Sequence, residues 1–290
     1  MFYGSRRLSR CRLLGGHNCR QRRVAAIHDL SGFGRCSLTV ALPIISAMGM
    51  QCCPLPTALL SNHTGYPSYS FLELTEEMGR FTEEWAKLDL RFDGIYSGFL
   101  GSSDQIHRVE EFLKNFHHSK CLYVCDPVLG DHGKAYATCG PDLWEGMRNL
   151  VRQADVITPN LTEVFLMTGE PYDPDISVQR LIPLIRNLTE DRPIYVAVTG
   201  IERNGEICNL AYDGVHGGYE LISRKKEYES YAGTGDVFAS VLTAAMTRQE
   251  NFTSGVKKAA DFVSRAVALS HKAGIPMTDG VCFEPLLNRL

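Results

Sequence analysis

Strands alternating with helices along most of the chain predict an α/β fold. Its centre is a mainly parallel sheet with helices on both faces and an antiparallel flank. Three observations carry this reading. From residue 24 to about 200, short apolar runs alternate with helical stretches, which is the pattern of βαβ units. Beyond residue 200, Asn204-Gly205 and Asp213-Gly214 mark tight turns between apolar runs, as antiparallel strands require. The 290 residues are 44% hydrophobic, enough for one sizeable core.

The elements follow in order. Val24-Ala25-Ala26-Ile27 reads as a first buried strand, then a loop from His28 to Arg35 and a helix from Ser37 to Met48. Cys52 to Leu60 is a second strand, and Leu72 to Leu88 reads as an acidic amphipathic helix. Gly94-Ile95-Tyr96-Ser97-Gly98 is a strand running into a glycine-rich loop. A helix over 103–116 leads to the apolar strand 121–125, in which Cys121 and Cys125 read as core thiols. Asp155-Val156-Ile157-Thr158 is the next strand, followed by a helix from Leu161 and another over 176–188. Ile194 to Val198 is the last strand before the flank, and helices over 236–247 and 253–272 end the fold.

Composition narrows the function. A net charge of −3 gives no basic surface for nucleic acid or an anionic membrane, and no apolar run approaches the ~20 residues of a membrane span. Ten scattered cysteines form no CxxC pair and no zinc spacing. Free thiols in a large chain fit the reducing cytoplasm. Residues 1–23 hold seven arginines and no acid. An organelle-targeting leader has that composition, but nothing later in the chain needs the segment. It reads as a dispensable disordered tail, leaving 24–290 as one domain.

The most informative segment is Tyr231-Ala232-Gly233-Thr234-Gly235-Asp236. Phe238, Val241, Leu242 and Ala245 recur at helical spacing, so a helix starting near Asp236 would turn its free N–H groups and positive dipole end toward the glycines. Glycine lets backbone amides approach a phosphate closely, and the result is an anion cradle. Asp236 at its mouth is placed to receive the proton of an attacking alcohol, and a carboxylate beside a helix N-terminus is expected to stay ionised at neutral pH. A glycine-rich turn with Asp236 as N-cap is the alternative for this motif alone. In open α/β sheets ligands bind beyond the strands' carboxyl ends. Asp29, Ser31, Ser61-Asn62-His63-Thr64, Asp126, Asn160, Glu163 and Thr199 all fall at that rim. Singly each reads as a cap or turn residue; together they read as a site.

Four motifs carry a resemblance from Val24 to the C-terminus: Ser61-Asn62-His63-Thr64-Gly65-Tyr66, Cys125-Asp126-Pro127-Val128-Leu129-Gly130-Asp131, Ile157-Thr158-Pro159-Asn160 with Glu163, and Gly233-Thr234-Gly235-Asp236. The chain resembles the vitamin B6 (pyridoxal) kinase branch of the ribokinase superfamily, so the fold expected is ribokinase-like. The resemblance implies ATP-dependent phosphorylation of the 5′-hydroxymethyl group of pyridoxal, pyridoxine or pyridoxamine. It implies Asp236 as base and the amides of Gly233, Thr234 and Gly235 as the hole for the transferring phosphoryl. Mg²⁺ would accompany ATP at Asp126 and Glu163, partly through water, with room for a monovalent cation. Asp131, Tyr136, Asn160, Thr199 and Lys226 would contact the nucleotide, with the loop 129–139 folding over the triphosphate. Lys226 also reads as a solvated member of a basic run. Asp29, Ser31, Ala58, His63, Thr64 and Phe99 would hold the vitamer, Phe99 by stacking, and a homodimer is implied.

Two departures stand out. Many members carry serine at Asp29, where an aspartate favours a protonated ring nitrogen. Phe99 replaces the tyrosine of some members. The nearest rival is the hydroxymethylpyrimidine kinase branch, whose glycine-rich first loop resembles Ser31-Gly32-Phe33-Gly34, but which commonly ends its motif with cysteine in place of the aspartate; Asp236 and the Ser-Asn-His-Thr motif argue against it. A sugar kinase would need more polar clamps than the chain offers. A non-catalytic B6-binding protein would have no need of Asp236 or the cation-binding acids.

Overall fold

A computed structural model describes residues 20–290. Of the segment 1–23, residues 1–19 lie outside the described residues. The first strand, β1, spans Arg23–Ser31, and the Arg20 guanidinium just before it donates to both oxygens of Asp93 at 3.0 Å.

The remaining elements are α1 (Ser37–Ala47), β2 (Gln51–Leu60), β3 (Phe71–Glu73), α2 (Thr75–Lys87), β4 (Gly94–Ser97), α3 (Ser103–Phe116), β5 (Leu122–Cys125), β6 (Gly130–Asp131), β7 (Lys134–Ala135), α4 (Pro141–Val151), β8 (Val156–Ile157), α5 (Leu161–Thr168), α6 (Val178–Thr189), β9 (Tyr195–Arg203), β10 (Glu206–Asp213), β11 (Tyr219–Lys225), α7 (Thr234–Thr247) and α8 (Phe252–Lys272). Nine strands form one sheet in the order β11-β10-β9-β8-β5-β4-β1-β2-β3. β1, β2, β4, β5, β8 and β9 are mutually parallel, while β10 and β11 form the expected antiparallel flank. The expected mainly parallel sheet with an antiparallel flank is present.

Successive residues of β1 enter opposite cores. Ala25 and Ile27 pack with α2 to α6, and Val24 and Ala26 pack with α1, α7 and α8. That two-sided burial is why the parallel strands read as continuous apolar runs. After Asp236, α7 carries no charge through Thr247 and is buried nearly all round.

Three local readings change. Leu72 and Glu73 belong to β3, which pairs antiparallel with Ala58 and Leu59, so the helix starts at Thr75 and not Leu72. β6 and β7 form a small hairpin where a loop is expected. α4 begins at Pro141, the favoured first-turn position for proline, inside a stretch to which no element was assigned.

His28 sits fully buried on β1 with neither ring nitrogen hydrogen-bonded, 4.2 Å from the Tyr96 ring. Burial pushes its pKa down to about 3, so it is neutral. The imidazole fills the space above Gly98: a Cβ there would meet Cε1 at 2.0 Å. Gly98→Ala is therefore expected to cost about 1–3 kcal/mol by overpacking, read as a lower midpoint in urea unfolding.

Candidate active site

All six parallel strands end on one rim, and a cavity of about 640 Å³ runs along it. It is lined in strand order from Leu60 at the end of β2 and His63 beyond it, through Asp29 of β1, Phe99 after β4, Asp126 after β5 and Thr158 after β8, to Thr199 of β9 and Ile207 of β10. Seven neighbouring strands at ~4.8 Å spacing give it a length of roughly 29 Å. That is room for an extended ligand and a second molecule placed end to end.

The head of α7 forms its floor. Gly233, with φ +77°, is the N-cap, so the helix begins at Thr234. Asp236 is thus in the first turn and is not the cap, which removes the capping alternative. The amides of Thr234 and Gly235 belong to the unpaired first turn and border the cavity. Asp236 is pushed up to about 8, first by burial, then by the nearby negative charges of Asp126 and Asp29; the Ser37 amide only partly offsets this. Here the expectation of an ionised carboxylate fails. Like charges and burial outweigh the helix dipole in the ligand-free site.

Two more acids lie beside it. Asp126 accepts from the Thr158 hydroxyl at 2.7 Å and is raised to about 7 by burial. Glu163 is raised well above the carboxylate range by burial and by Asp126, although its oxygens accept from the Leu129 and Asn160 amides at 3.1 and 2.7 Å. Asn160 caps α5, accepting from the Glu163 amide at 3.0 Å, and donates its side-chain amide to Gly130 O at 2.8 Å. With the Gly133 amide donating to Thr162 Oγ1 at 2.8 Å, these contacts moor the β6–β7 hairpin, which brings Asp131 and Tyr136 to the cavity wall. Among the described residues no cluster of three or more His, Cys, Asp and Glu side chains is built to hold a metal alone. Two buried acids that resist ionising do fit a divalent cation whose other ligands are waters and phosphate.

At the other end, Asp29, His63, Thr64 and Phe99 line the cavity. Asp29 is raised by burial, against the opposing pull of Ser37, Ser31 and His63. His63 spends both nitrogens on backbone: Nδ1 accepts from the Gly65 amide at 3.1 Å, leaving Nε2–H to donate to Thr278 O at 2.7 Å. Ser31 and Ala58 do not line the cavity. Ser31 is fully buried and donates to Asp29 at 2.9 Å, and Ala58 is fully buried on β2, so neither presents a surface to a ligand. Lys226 lines the far mouth but is not a free cation: its Nζ donates to both Glu202 oxygens at 2.8 Å.

Sequence reading missed two parts of the wall. One is the apolar end formed by Ile207, Ala260, Val263 and Val267. The last three recur at helical spacing, which reads equally as an ordinary core face. The other is Cys36 and Ser37 at the head of α1, which no motif flagged.

Unpaired first-turn amides, an acid within the first turn of their helix and two further buried acids share one α/β rim, an arrangement suited to a phosphotransferase acting on an alcohol. The comparisons agree. The phosphomethylpyrimidine kinase family model matches residues 42–280. A Bacteroides thetaiotaomicron protein described as a phosphomethylpyrimidine kinase, crystallised with pyridoxal, is 40% identical over 93% of this chain and 96% of its own, with TM-score 0.89. Pyridoxal kinase from Lactobacillus plantarum is 30% identical over 92% and 96%, with TM-score 0.86. Pyridoxal kinase PdxY of Histophilus somni is 27% identical over 244 residues, 79% of this chain and 82% of its own. The chain belongs to the phosphomethylpyrimidine kinase family, within the ribokinase superfamily that also holds the pyridoxal kinases.

Proposed function

We propose that the chain transfers the γ-phosphoryl of ATP to the 5′-hydroxymethyl group of a B6 vitamer. The observation that carries this is Asp236, the one acidic side chain of an otherwise buried helix, lining the cavity beside unpaired first-turn amides. The amides of Gly233, Thr234 and Gly235 hold the transferring phosphoryl, and Asp236 accepts the alcohol's proton. Phosphoryl transfer has a loose transition state, so positioning and charge neutralisation supply most of the rate. Mg²⁺ at Asp126 and Glu163, partly through water, supplies that neutralisation when bound. Asn160, Thr199, Asp131 and Tyr136 border the phosphates, the hairpin keeps water out, and Lys226 exchanges Glu202 for phosphate. Phe99 stacks on the vitamer ring, His63 and Thr64 face its polar edge, and Asp29 pairs with the ring nitrogen, held by Ser31. Exposed Leu59, Phe71 and Leu72 at the β2–β3 edge favour a homodimer. Free thiols favour the cytoplasm, and no described helix is long and apolar enough to cross a membrane.

The family model favours a second reading, phosphorylation of a hydroxymethylpyrimidine, which needs the same cradle and base. One assay decides: the full chain with Mg-ATP and each vitamer or hydroxymethylpyrimidine in turn, following the phosphorylated product. Turnover of a vitamer at the lowest KM supports the B6 reading; turnover of the pyrimidine alone replaces it, and tight binding with no turnover leaves a binding protein. Asp29→Asn is expected to raise vitamer KM about tenfold or more by removing a charge-assisted bond, and an unchanged KM removes Asp29 from the ring site.

A further inference from the structure

The loop 61–70 between β2 and β3 is folded on itself. Its neck closes through Ser61, whose amide donates to Ser70 O at 3.1 Å and whose hydroxyl accepts from the Ser70 amide at 2.8 Å. Across the loop, Asn62 Nδ2 donates to Ser68 O at 2.8 Å. The loop is thus a compact unit hinged at its neck, and it carries His63, Thr64 and Gly65 to the cavity wall. Two hydrogen bonds hold its tip against the turn 277–280: His63 Nε2–H donates to Thr278 O at 2.7 Å, and the Tyr66 hydroxyl donates to Asp279 Oδ1 at 2.7 Å. The Tyr66 ring also packs on those of His63 and Phe33, with centroids 4.7 and 5.8 Å away. That turn is itself fixed to the phosphate end of the cavity. The Ala232 amide donates to Met277 O at 3.1 Å, Ala232 O accepts from the Val281 amide at 3.0 Å, and Ala232 immediately precedes Gly233, the N-cap of α7. The Arg35 amide donates to Asp279 O at 3.1 Å, and a Cβ on Gly280 would come within 2.8 Å of the Arg35 backbone, so the turn is seated without slack.

We propose that Tyr66 and Asp279 are positioning residues that fix the ring-binding end of the cavity relative to the phosphoryl cradle. The chain of contacts is short. Loop 61–70 is bonded to Asp279, the turn to Ala232, and Ala232 is joined to the first residue of the cradle. Neither side chain lines the cavity, so their effect passes through His63 and Thr64 and not through contact with a ligand. An alcohol must sit within about 3–3.5 Å of the atom it attacks, and a loop that swings at its neck would spread the vitamer ring over several positions. The Tyr66–Asp279 bond removes that freedom at one pair of atoms. This rests on the kinase reading above and deepens it: the wall that receives the ring takes its placement from the segment that borders the cradle. Thr199 and Ile207, at the other end of the cavity, come from β9 and β10, far along the strand order from β2. The nucleotide end is therefore outside the reach of this latch.

The test uses the full chain and its variants. Tyr66→Phe removes the hydroxyl and keeps the ring against His63 and Phe33. Asp279→Ala removes the acceptor, while Asp279→Asn leaves an amide oxygen in its place. Tyr66→Phe and Asp279→Ala are each expected to raise vitamer KM about tenfold, the loss of one hydrogen bond to a carboxylate, with ATP KM within about twofold of wild type. The double variant should be no worse than either single one, because both remove the same bond. Asp279→Asn should recover most of the loss. Selective ¹⁵N-histidine NMR reads the latch without turnover. His63 Nε2 holds its proton against Thr278 O, and in Tyr66→Phe and Asp279→Ala that proton should exchange with water about tenfold faster. Additive losses in the double variant, or equal rises in vitamer and ATP KM, would show general damage to the fold and overturn the proposal. Variants matching wild type in KM and in exchange overturn it as well. If wild type phosphorylates none of the alcohols the kinase reading falls by itself, while exchange at His63 still decides whether Tyr66 and Asp279 hold the loop.

Discussion

Asp236→Asn is expected to lower kcat by about 10²–10⁴-fold, the range for losing a general base, while ATP binding and the fold persist. Asparagine matches the shape of the carboxyl and removes the only charge of α7, so the buried helix loses a liability and not a support. The pH dependence separates this from a merely steric effect. In the free enzyme Asp236 holds its proton until about pH 8, and kcat/KM reports free-enzyme groups. Wild-type kcat/KM should therefore climb as pH rises through 8, and the residual rate of the variant should not follow that limb. Stability should run the other way. The folded-state value lies above the ordinary 3.8, so its contribution is complete below that pH, shrinks as pH rises and is gone above about 8. Ligand-free wild type should melt higher at pH 5.5 than at pH 8.5, and Asp236→Asn should flatten part of that difference. Near-normal kcat in the variant would remove the base assignment.

That raised value also shows where sequence stops. The order of elements was legible because each parallel strand is buried on both faces and each turn has its own chemistry. Asn204-Gly205 adopts the positive φ pair of a tight hairpin, φ +50° and +76°, as its residues indicate. The rim acids were legible because four motifs place them after successive strands. What escaped depends on distances between segments far apart in the chain. Asp236 alone at a helix N-terminus should be acidic; it is not, first because it is buried and then because Asp126 after β5 and Asp29 on β1 arrive beside it. Ser31 reads as a rim residue after a strand, yet it is the last residue of β1 and turns inward to donate to Asp29. Ser37 looks like the ordinary start of a helix, yet it has φ +50° beside an Arg35–Gly233 approach between residues 198 positions apart in the chain. Leu72 fits a helical pattern until β2 offers it an edge to pair with.

The same Arg35–Gly233 contact sets the second large effect. Gly233→Ala is expected to destabilise the protein by about 2–4 kcal/mol, because alanine pays for φ +77° and its methyl meets the Arg35 carbonyl at 2.0 Å. The obstacle is backbone and cannot swing away, so relief requires the head of α7 to part from residues 35–37. That movement opens the amide cradle and displaces Cys36 and Ser37 from the cavity wall. Activity should therefore fall further than the lost stability accounts for, with both kcat and vitamer KM worsened at temperatures where the variant is fully folded. Gly235→Ala is the control that separates the two causes. Its Cβ would meet nothing within 4 Å, and it has no positive φ, so its melting temperature should hold. The added methyl points into open space at the cavity wall, where a phosphate held by the cradle would need to approach, so ATP affinity and kcat should drop without loss of fold. If Gly233→Ala melts like wild type, the junction between the two helices is looser than the packing implies; if Gly235→Ala is fully active, the phosphoryl group is held somewhere other than the head of α7.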